Sequence, residues 1–173
     1  MYGEDFERKV NEIVASYPQP RGAVMPILHL VQEKADFVPL EAEVWVADRL
    51  GLTPSFVHGI VTFYTMYRTS RCGDYLLQLC TTVSCMLRGC DSVLDHIKNK
   101  LQIEVGETTA DGKFTLVTVE CLGSCGTAPV LQVNDDYYED MDIERTDKLL
   151  DALGRGQRPE FGPGPGPRRV VVE

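Results

Sequence analysis

Two runs of sequence decide the fold of this chain: Leu79-Cys80-Thr81-Thr82-Val83-Ser84-Cys85 and Val119-Glu120-Cys121-Leu122-Gly123-Ser124-Cys125. Residues 75–80 are mostly apolar, and residues 114–119 alternate and are rich in β-branched side chains, so both segments are predicted to be strands. Each pair of cysteines comes at the end of one of these strands. Loops that follow the strands of a parallel or mixed sheet meet at a common edge, where ligands tend to bind. The sequence therefore predicts that the two pairs of cysteines lie at one edge of a sheet.

Four thiolates that converge from two loops form the ligand set of a [2Fe–2S] cluster. The gaps within the pairs, C-x4-C and C-x3-C, suit a loop that curls around a bulky inorganic group. Backbone N–H groups of the glycine-containing loop 122–124 are expected to point at the sulfides of such a group and to tune its potential. We predict that one cluster is held by Cys80, Cys85, Cys121 and Cys125.

Three other interpretations of these cysteines stay open from the residues alone. A structural zinc site also takes four thiolates, although zinc knuckles usually leave two residues between their cysteines. Disulfides belong to oxidising compartments, and the N-terminal residues 1–6 lack the basic start and apolar stretch of a secretory signal. The third interpretation is incidental core thiols, which the position at two strand ends disfavours.

The other two cysteines, Cys72 and Cys90, are not predicted to be ligands, because neither has a partner at a familiar ligand spacing. A helix is predicted over residues 84–101, with Leu87, Cys90 and Leu94 on its apolar face. On that helix Cys90 would point well away from Cys85, so we interpret it as a small core residue.

The histidines and the longest acidic stretch have simpler interpretations. His29, His58 and His96 are not spaced as a pair, which excludes the two-histidine pattern of a Rieske centre and favours surface or hydrogen-bonded roles. Residues 135–140, Asp-Asp-Tyr-Tyr-Glu-Asp, are typical of a solvated turn. The alternative is that their charge shapes partner docking or lowers the potential of the cluster.

Helices are predicted throughout the first seventy residues. Apolar residues recur at helical spacing over residues 6–14, 24–31 and 44–50. A fourth helix is predicted to begin at Thr53-Pro54, with Thr as N-cap and Pro at the first helical position. Its continuation, residues 56–67, is apolar almost all round, as in helices covered on several sides.

A different pattern begins near residues 70–74. The strands predicted at 75–80 and 114–119 are followed by a hairpin over 130–138 and by a closing helix that ends at Gly154. The fold class is therefore α+β: an N-terminal helical bundle over 1–70, a small sheet with helices over 71–155, and a Gly/Pro-rich extended tail over 156–173.

Composition excludes several classes of function. The chain has 173 residues, a formal net charge of −9, 43% hydrophobic and 25% charged residues, as in an ordinary soluble globular protein. The negative charge argues against binding nucleic acid, which requires clustered Lys and Arg. No run approaches the roughly 20 apolar residues of a membrane-spanning helix, so we expect no direct membrane insertion.

Motifs for two-electron chemistry are missing from the sequence. It contains no strand–G-x-G-x-x-G–helix fingerprint, no phosphate-binding G-x-x-x-x-G-K-[ST] loop and no C-x-x-C redox pair. We therefore expect the chain to move single electrons and to leave hydride transfer to a partner.

The two cysteine runs, together with Gly126-Thr127-Ala128-Pro129, resemble the thioredoxin-like [2Fe–2S] subunit of respiratory complex I, the 24-kilodalton subunit of mitochondria. Residues 59–64, Gly-Ile-Val-Thr-Phe-Tyr, are similar to the helical region that precedes the cluster domain in that family. The resemblance covers roughly residues 5–155. It implies a thioredoxin-like ferredoxin domain behind a helical bundle, and the same four cysteine ligands.

The resemblance also implies a function and partners. The chain would be an electron-transfer subunit of NADH:quinone oxidoreductase that exchanges electrons with the FMN of a partner subunit, which also binds NADH. It would lie, with other peripheral-arm subunits, on the cytoplasmic side of a membrane-bound complex, or on the matrix side in an organelle. The equivalent diaphorase subunits of NAD-linked hydrogenases and formate dehydrogenases are an alternative, as is a scaffold with structural zinc. Thioredoxin-like folds also lead us to expect a cis peptide bond before Pro129.

Overall fold

The structure is a computed structural model that describes residues 3–159. The chain forms two compact units, which divide between Arg71 and Cys72. Of the predicted Gly/Pro-rich tail, the part from residue 160 onward lies outside the described residues.

The N-terminal unit is helical, as predicted. Its four α-helices, in chain order, are α1 Glu4–Ala15, α2 Val24–Ala35, α3 Leu40–Leu50 and α4 Pro54–Phe63. A short 3-10 helix, Pro20–Ala23, joins α1 to α2. Helix α3 ends at Gly51, whose φ of +65° is the left-handed conformation that glycine adopts without a Cβ penalty.

The apolar faces of these helices build one core. Its centre includes Val10, Ile27, Val31, Val46 and Val57, all fully buried. On α3 the predicted apolar stripe, Val44, Ala47 and Leu50, is partly wrong, because Val44 is exposed while Val46 is buried.

Helix α4 begins as predicted and ends early. The Thr53 hydroxyl accepts a hydrogen bond from the Phe56 N–H at 3.3 Å, so Thr53 is the N-cap. The helix ends at Phe63, because Tyr64 turns to an extended conformation, whereas apolarity alone had predicted helix to residue 67. Val57 and Val61 are buried, but Phe56 and Phe63 are exposed, so only one face of this apolar helix is covered within its own unit.

Over the residues that the structure describes, the second unit is a four-stranded mixed sheet with three α-helices and a short 3-10 helix. The elements in chain order are β1 Tyr75–Cys80, α5 Val83–Leu87, α6 Cys90–Leu101, β2 Phe114–Val119, β3 Leu131–Val133, β4 Asp136–Tyr138 and α7 Ile143–Gly154. The strand order is β2-β1-β3-β4. Strands β1 and β2 are parallel, with Tyr75 beside Phe114 and Cys80 beside Val119, while β3 is antiparallel to both β1 and β4.

The predicted helix over 84–101 is wrong in one respect, because it is two helices. Helix α5 ends at Leu87, and α6 begins at Cys90 after Gly89, whose φ is +91°. A residue at positive φ cannot continue a right-handed helix, so the axis changes there. As a result Leu87 is 79% exposed and leaves the predicted apolar stripe, while Cys90 and Ile97 remain fully buried.

The core of the second unit lies between the sheet and its helices. Its largest fully buried side chains come from the sheet and the closing helix, among them Leu77, Leu116, Leu131 and Leu149. The expected cis peptide bond is confirmed at Ala128–Pro129. Within residues 3–159, no helix has the length and apolarity needed to cross a membrane.

Candidate iron–sulfur site

The first pair of cysteines lies where β1 ends. Cys80 is the last residue of β1, and its N–H donates to the Val130 carbonyl at 3.1 Å. The chain then turns into α5, which carries Cys85 on its inner face. Both side chains are only 2% exposed. The first cysteine loop, residues 80–85, therefore presents two thiols from inside the protein.

The second pair lies beyond the parallel neighbour, β2. Cys121 follows the last residue of β2, Val119, by two positions, and Cys125 begins a 3-10 turn, Cys125–Thr127. Their Sγ atoms are 3.5 Å apart, and both residues are exposed. Because β1 and β2 are parallel neighbours with Cys80 beside Val119, the two pairs lie at the same edge of the sheet. The second cysteine loop, residues 121–127, thus forms the outer side of this edge.

Hydrogen bonds connect the two cysteine loops. The Thr82 hydroxyl lies 3.2 Å from the Cys80 Sγ atom and also lowers the pKa of the Cys121 thiol. The Leu122 N–H of the second loop lowers the pKa of Cys80, and the Ser84 hydroxyl of the first loop acts in the same direction on the pKa of Cys125. These contacts join the two pairs into one site.

Within the first pair the two thiols differ in acidity. Burial by itself would raise the pKa of Cys80, but hydrogen bonds from the Thr82 side chain, the Thr82 N–H and the Leu122 N–H lower it below its ordinary value. Burial raises the pKa of Cys85 to about 11, and the neighbouring Cys80 sulfur adds to the rise. Cys80 is therefore the thiol of this pair that ionises first.

The second pair has the same asymmetry. The Gly123 N–H, which donates to the Cys121 Sγ atom at 3.4 Å, is the main cause that lowers the pKa of Cys121. The hydrogen bond with Cys121 raises the pKa of Cys125. Each pair thus holds one acidic thiol and one that keeps its proton beside it. Positive charge from bound metal ions would favour ionisation of all four thiols.

The donor set fits a [2Fe–2S] cluster. All six cysteines of the chain are free thiols, and four of them lie in the two loops at this edge. Within the described residues, no three His, Cys, Asp or Glu side chains are grouped closely enough to hold one metal ion. A binuclear cluster needs two ligands on each iron, and the Cys121–Cys125 pair already has its sulfurs in van der Waals contact. N–H groups of Leu122 and Gly123 act on cysteine sulfurs, whereas the sequence predicted N–H groups directed at the sulfides of a cluster.

Cys90 and Cys72 occupy different surroundings. Cys90 is fully buried in the core of the second unit, and burial, followed by the Asp91 carboxylate, raises its pKa to about 11. Its interpretation as a small core residue is confirmed, although the reason differs, because Cys90 begins α6 and does not share a helix with Cys85. Cys72 is half-buried and precedes β1.

The histidines have protein partners or lie at the surface, as expected. The His58 Nδ1 atom is 2.8 Å from the buried Glu43 carboxylate, and the His96 Nε2 atom is 3.1 Å from Asp147. His29 is exposed, and its ring lies 5.1 Å from the ring of Tyr67.

Sequence reasoning missed several residues that support the second cysteine loop. The Tyr137 hydroxyl donates to the Leu122 carbonyl at 3.0 Å. The Glu139 carboxylate accepts hydrogen bonds from Ser124 and from Thr127. The stretch 135–140 is a solvated turn only in its first half, because Glu139 is half-buried and Asp140 is buried. Acidity was the only signal in the sequence, and it does not reveal these contacts.

Comparison with known proteins identifies the family. A sequence model of the family described as thioredoxin-like [2Fe-2S] ferredoxin matches residues 10–154. This chain belongs to the thioredoxin-like [2Fe-2S] ferredoxin family. The match includes both cysteine loops and most of the N-terminal helical unit, so family membership covers both units of the chain.

Named relatives are similar over most of the chain. A subunit of the NADH-quinone oxidoreductase of Rhizobium meliloti (strain 1021) is 43% identical over 153 residues, which are 88% of this chain and 91% of the relative. The mitochondrial NADH dehydrogenase [ubiquinone] flavoprotein 2 of Dictyostelium discoideum is 41% identical over 158 residues, 90% of this chain. The chain spans only 64% of that longer protein.

The fold also recurs in a solved structure. An NAD+-reducing [NiFe]-hydrogenase in its air-oxidized state has a chain that matches 77% of this one with a TM-score of 0.66 and 20% identity. The match covers 23% of that hydrogenase chain, so the likeness concerns one part of a larger protein. At this identity it supports the fold, and the family assignment rests on the sequence matches.

Proposed function

We propose that this chain is the [2Fe–2S] electron-transfer subunit of an NADH:quinone oxidoreductase. The observation that carries the proposal is the set of four free thiols on two hydrogen-bonded loops at one sheet edge. Family membership and the names of relatives above 40% identity support the same function.

The ligands in this proposal are Cys80, Cys85, Cys121 and Cys125. When bound, a [2Fe–2S] cluster supplies one-electron redox chemistry. The buried first pair would hold the group from inside the fold, and the exposed second pair would hold it from the surface side. Thr82, Leu122 and Gly123 donate hydrogen bonds to thiolate sulfurs, and such donors stabilise negative charge on the site.

Hydride chemistry is assigned to a partner. In this proposal NADH and FMN bind a separate subunit, and the chain receives or returns single electrons at its cysteine edge. The complex would hold the chain in a peripheral arm on the cytoplasmic side of a membrane, or on the matrix side in an organelle. Residues 1–70 would form the helical bundle and residues 71–155 the cluster domain.

A second candidate is the equivalent subunit of an NAD-linked hydrogenase. The structural likeness to the NAD+-reducing hydrogenase favours it, since that enzyme carries the same fold. The relatives named as oxidoreductase subunits are twice as similar in sequence, so the quinone-linked complex is the better supported parent.

Spectroscopy and co-purification test the proposal. The chain, purified without oxygen, should be coloured and should give an electron paramagnetic resonance signal on reduction by one electron. It should be reduced by NADH only when the flavin- and NADH-binding subunit is added. A colourless chain with stoichiometric zinc would show a structural metal and would overturn the electron-transfer function. Association with a hydrogenase in place of quinone-linked subunits would favour the second candidate.

A further inference from the structure

Glu139 is the only carboxylate among the described residues that bonds to side chains of the second cysteine loop. It follows β4 directly, and one oxygen of its carboxylate accepts hydrogen bonds from the hydroxyls of Ser124 and Thr127, the latter at 2.7 Å. The two hydroxyls are themselves 2.8 Å apart and belong to residues on either side of Cys125. A single carboxylate thus holds the backbone on both flanks of one proposed ligand.

The residues around Glu139 add two more contacts to the same loop. The Tyr137 hydroxyl donates to the Leu122 carbonyl at 3.0 Å, and the Asp140 N–H donates to the Thr127 carbonyl at 2.7 Å. Residues 137–140 are anchored to the sheet because Tyr137 pairs with Gln132 and Tyr138 pairs with Leu131. The contacts therefore connect the β3–β4 hairpin to a loop that has little regular structure of its own.

The second cysteine loop needs such support. It contains two glycines, Gly123 and Gly126, and its only regular structure is the 3-10 turn Cys125–Thr127. Glycines lose the most conformational freedom on folding, so a loop with two of them is costly to order. Both of its cysteines are exposed.

Glu139 also brings charge to this edge of the sheet. The hydrogen bond from Ser124, followed by that from Thr127, lowers the pKa of the Glu139 carboxyl group, so the side chain is ionised at neutral pH. A fixed negative charge beside a redox group disfavours the addition of an electron, and net charge is one of the factors that set such potentials.

We propose that Glu139 is a positioning residue that holds the loop carrying Cys121 and Cys125 in its ligand-binding conformation, and that its charge lowers the reduction potential of the bound group. The inference deepens the proposed function and rests on it. Glu139 acts through its hydrogen bonds to Ser124 and Thr127.

The test compares two substitutions of Glu139 with a control substitution that removes a negative charge elsewhere in the same hairpin. Glu139→Ala removes both hydrogen bonds and the charge. Glu139→Gln removes the charge but keeps a side-chain oxygen that can still accept hydrogen bonds from both hydroxyls, as a neutral and therefore weaker acceptor. Asp135→Asn removes one negative charge from the exposed turn of the same hairpin, where solvent and salt screen it from the cysteine edge. Circular dichroism checks that each variant folds.

Two measurements on the iron-loaded chain separate positioning from general stability. Loss of the visible spectrum to a chelator should be about tenfold faster in Glu139→Ala. The reason is that a hydrogen bond to a charged group stabilises the loop by about a factor of ten or more in its folding equilibrium. Glu139→Gln should fall between wild type and Glu139→Ala. The reduction potential should rise in both Glu139 variants and stay close to wild type in Asp135→Asn. Wild-type release rates and potentials in both Glu139 variants would overturn the proposal.

Amide hydrogen exchange distinguishes failure of this inference from failure of the proposed function. On the metal-free chain, protection of residues 122–127 should drop about tenfold in Glu139→Ala, with protection of β1 unchanged. If the wild-type chain proves to bind no iron, the proposed function fails and the assignment of Glu139 to ligand positioning fails with it. If iron is bound but exchange and release are the same in all variants, only the role of Glu139 is refuted.

Discussion

Replacing Gly123 by alanine isolates the contribution of backbone conformation to the second cysteine loop. Gly123 has a φ of +84°, and its N–H donates to the Cys121 Sγ atom at 3.4 Å. Apart from Gly123 and its two chain neighbours, no heavy atom lies within 4 Å of the position that a Cβ would occupy, so an added methyl group meets no obstacle from the rest of the protein. The remaining cost is that of a left-handed conformation for a residue with a Cβ, about 1–2 kcal/mol.

Gly126 provides a matched control three positions away. A Cβ there also meets nothing within 4 Å, and Gly126 does not adopt a positive φ. Alanine at either position reduces the entropy of the unfolded chain by the same amount, so that term cancels in a comparison of the two variants. Gly123→Ala should therefore be less stable than Gly126→Ala by about 1–2 kcal/mol.

Thermal denaturation without oxygen measures this difference. For a chain of this length, 1–2 kcal/mol corresponds to a midpoint roughly 2–8 °C lower for Gly123→Ala than for Gly126→Ala. The electron paramagnetic resonance signal should also change in Gly123→Ala, because a distorted loop weakens the hydrogen bond from the N–H of residue 123 to the Cys121 sulfur. Equal midpoints and identical signals in the two variants would refute the reasoning that Gly123 is required for its backbone conformation.

Three further predictions use paired variants or pH. Cys121→Ser should alter the visible and resonance spectra, whereas Cys90→Ser should leave them largely intact, because Cys90 is a buried core thiol; loss of the spectrum in Cys90→Ser alone would show that the ligands are wrongly assigned. Leu77→Ala, at a fully buried position in β1, should lower the free energy of unfolding by about 2–5 kcal/mol. Leu87→Ala, at a 79% exposed position, should change it by less than about 0.5 kcal/mol, and similar values for the two would contradict the packing described for α5. The hydrogen bond from Lys100, with a smaller contribution from His96, holds the pKa of Asp147 below its ordinary value of 3.8. The carboxylate therefore contributes stability that is fully present above that value and is lost as the pH falls through the lower pKa of the folded state. Denaturation midpoints of Asp147→Asn measured from neutral to acidic pH should fall less steeply than those of wild type, and equal slopes would argue against the interaction.

The arrangement of strands and cysteines could be predicted from the sequence because it follows from local patterns. Tyr75–Cys80 and Phe114–Val119 have the apolar and β-branched composition of strands, and each is followed by a pair of cysteines. Parallel neighbours bring their carboxyl ends to one edge, so local spacing was sufficient to place both cysteine loops together.

The errors arose where a single residue decides the conformation. A glycine within a helical pattern is compatible both with a continuous helix and with a break, and the sequence does not say that Gly89 adopts a φ of +91°. The apolar stripe therefore included Leu87, which the break leaves exposed. The apolar pattern of α4 continues past Phe63, but apolarity alone does not show where a helix ends. The helix ends because Tyr64 adopts an extended conformation.

The contacts of Glu139 could not be predicted because they join distant parts of the chain. Its carboxylate bonds to hydroxyls twelve and fifteen positions earlier, and the two residues have no pattern that links them to it. The acidic stretch suggested solvent exposure, which is correct for Asp135 and Asp136 and wrong for Asp140. Only the hairpin geometry reveals which acidic side chain turns toward the cysteine loop.

Analysis of iron and acid-labile sulfide, combined with resonance spectra of the reduced chain, tests the central claim most directly. We predict about two iron atoms and two sulfides in each chain purified without oxygen, and a signal that is altered when Cys80, Cys85, Cys121 or Cys125 is replaced by serine and is lost when all four are replaced. A chain that holds one zinc ion and no sulfide, or that keeps an unchanged iron signal after all four cysteines are replaced, would contradict that claim.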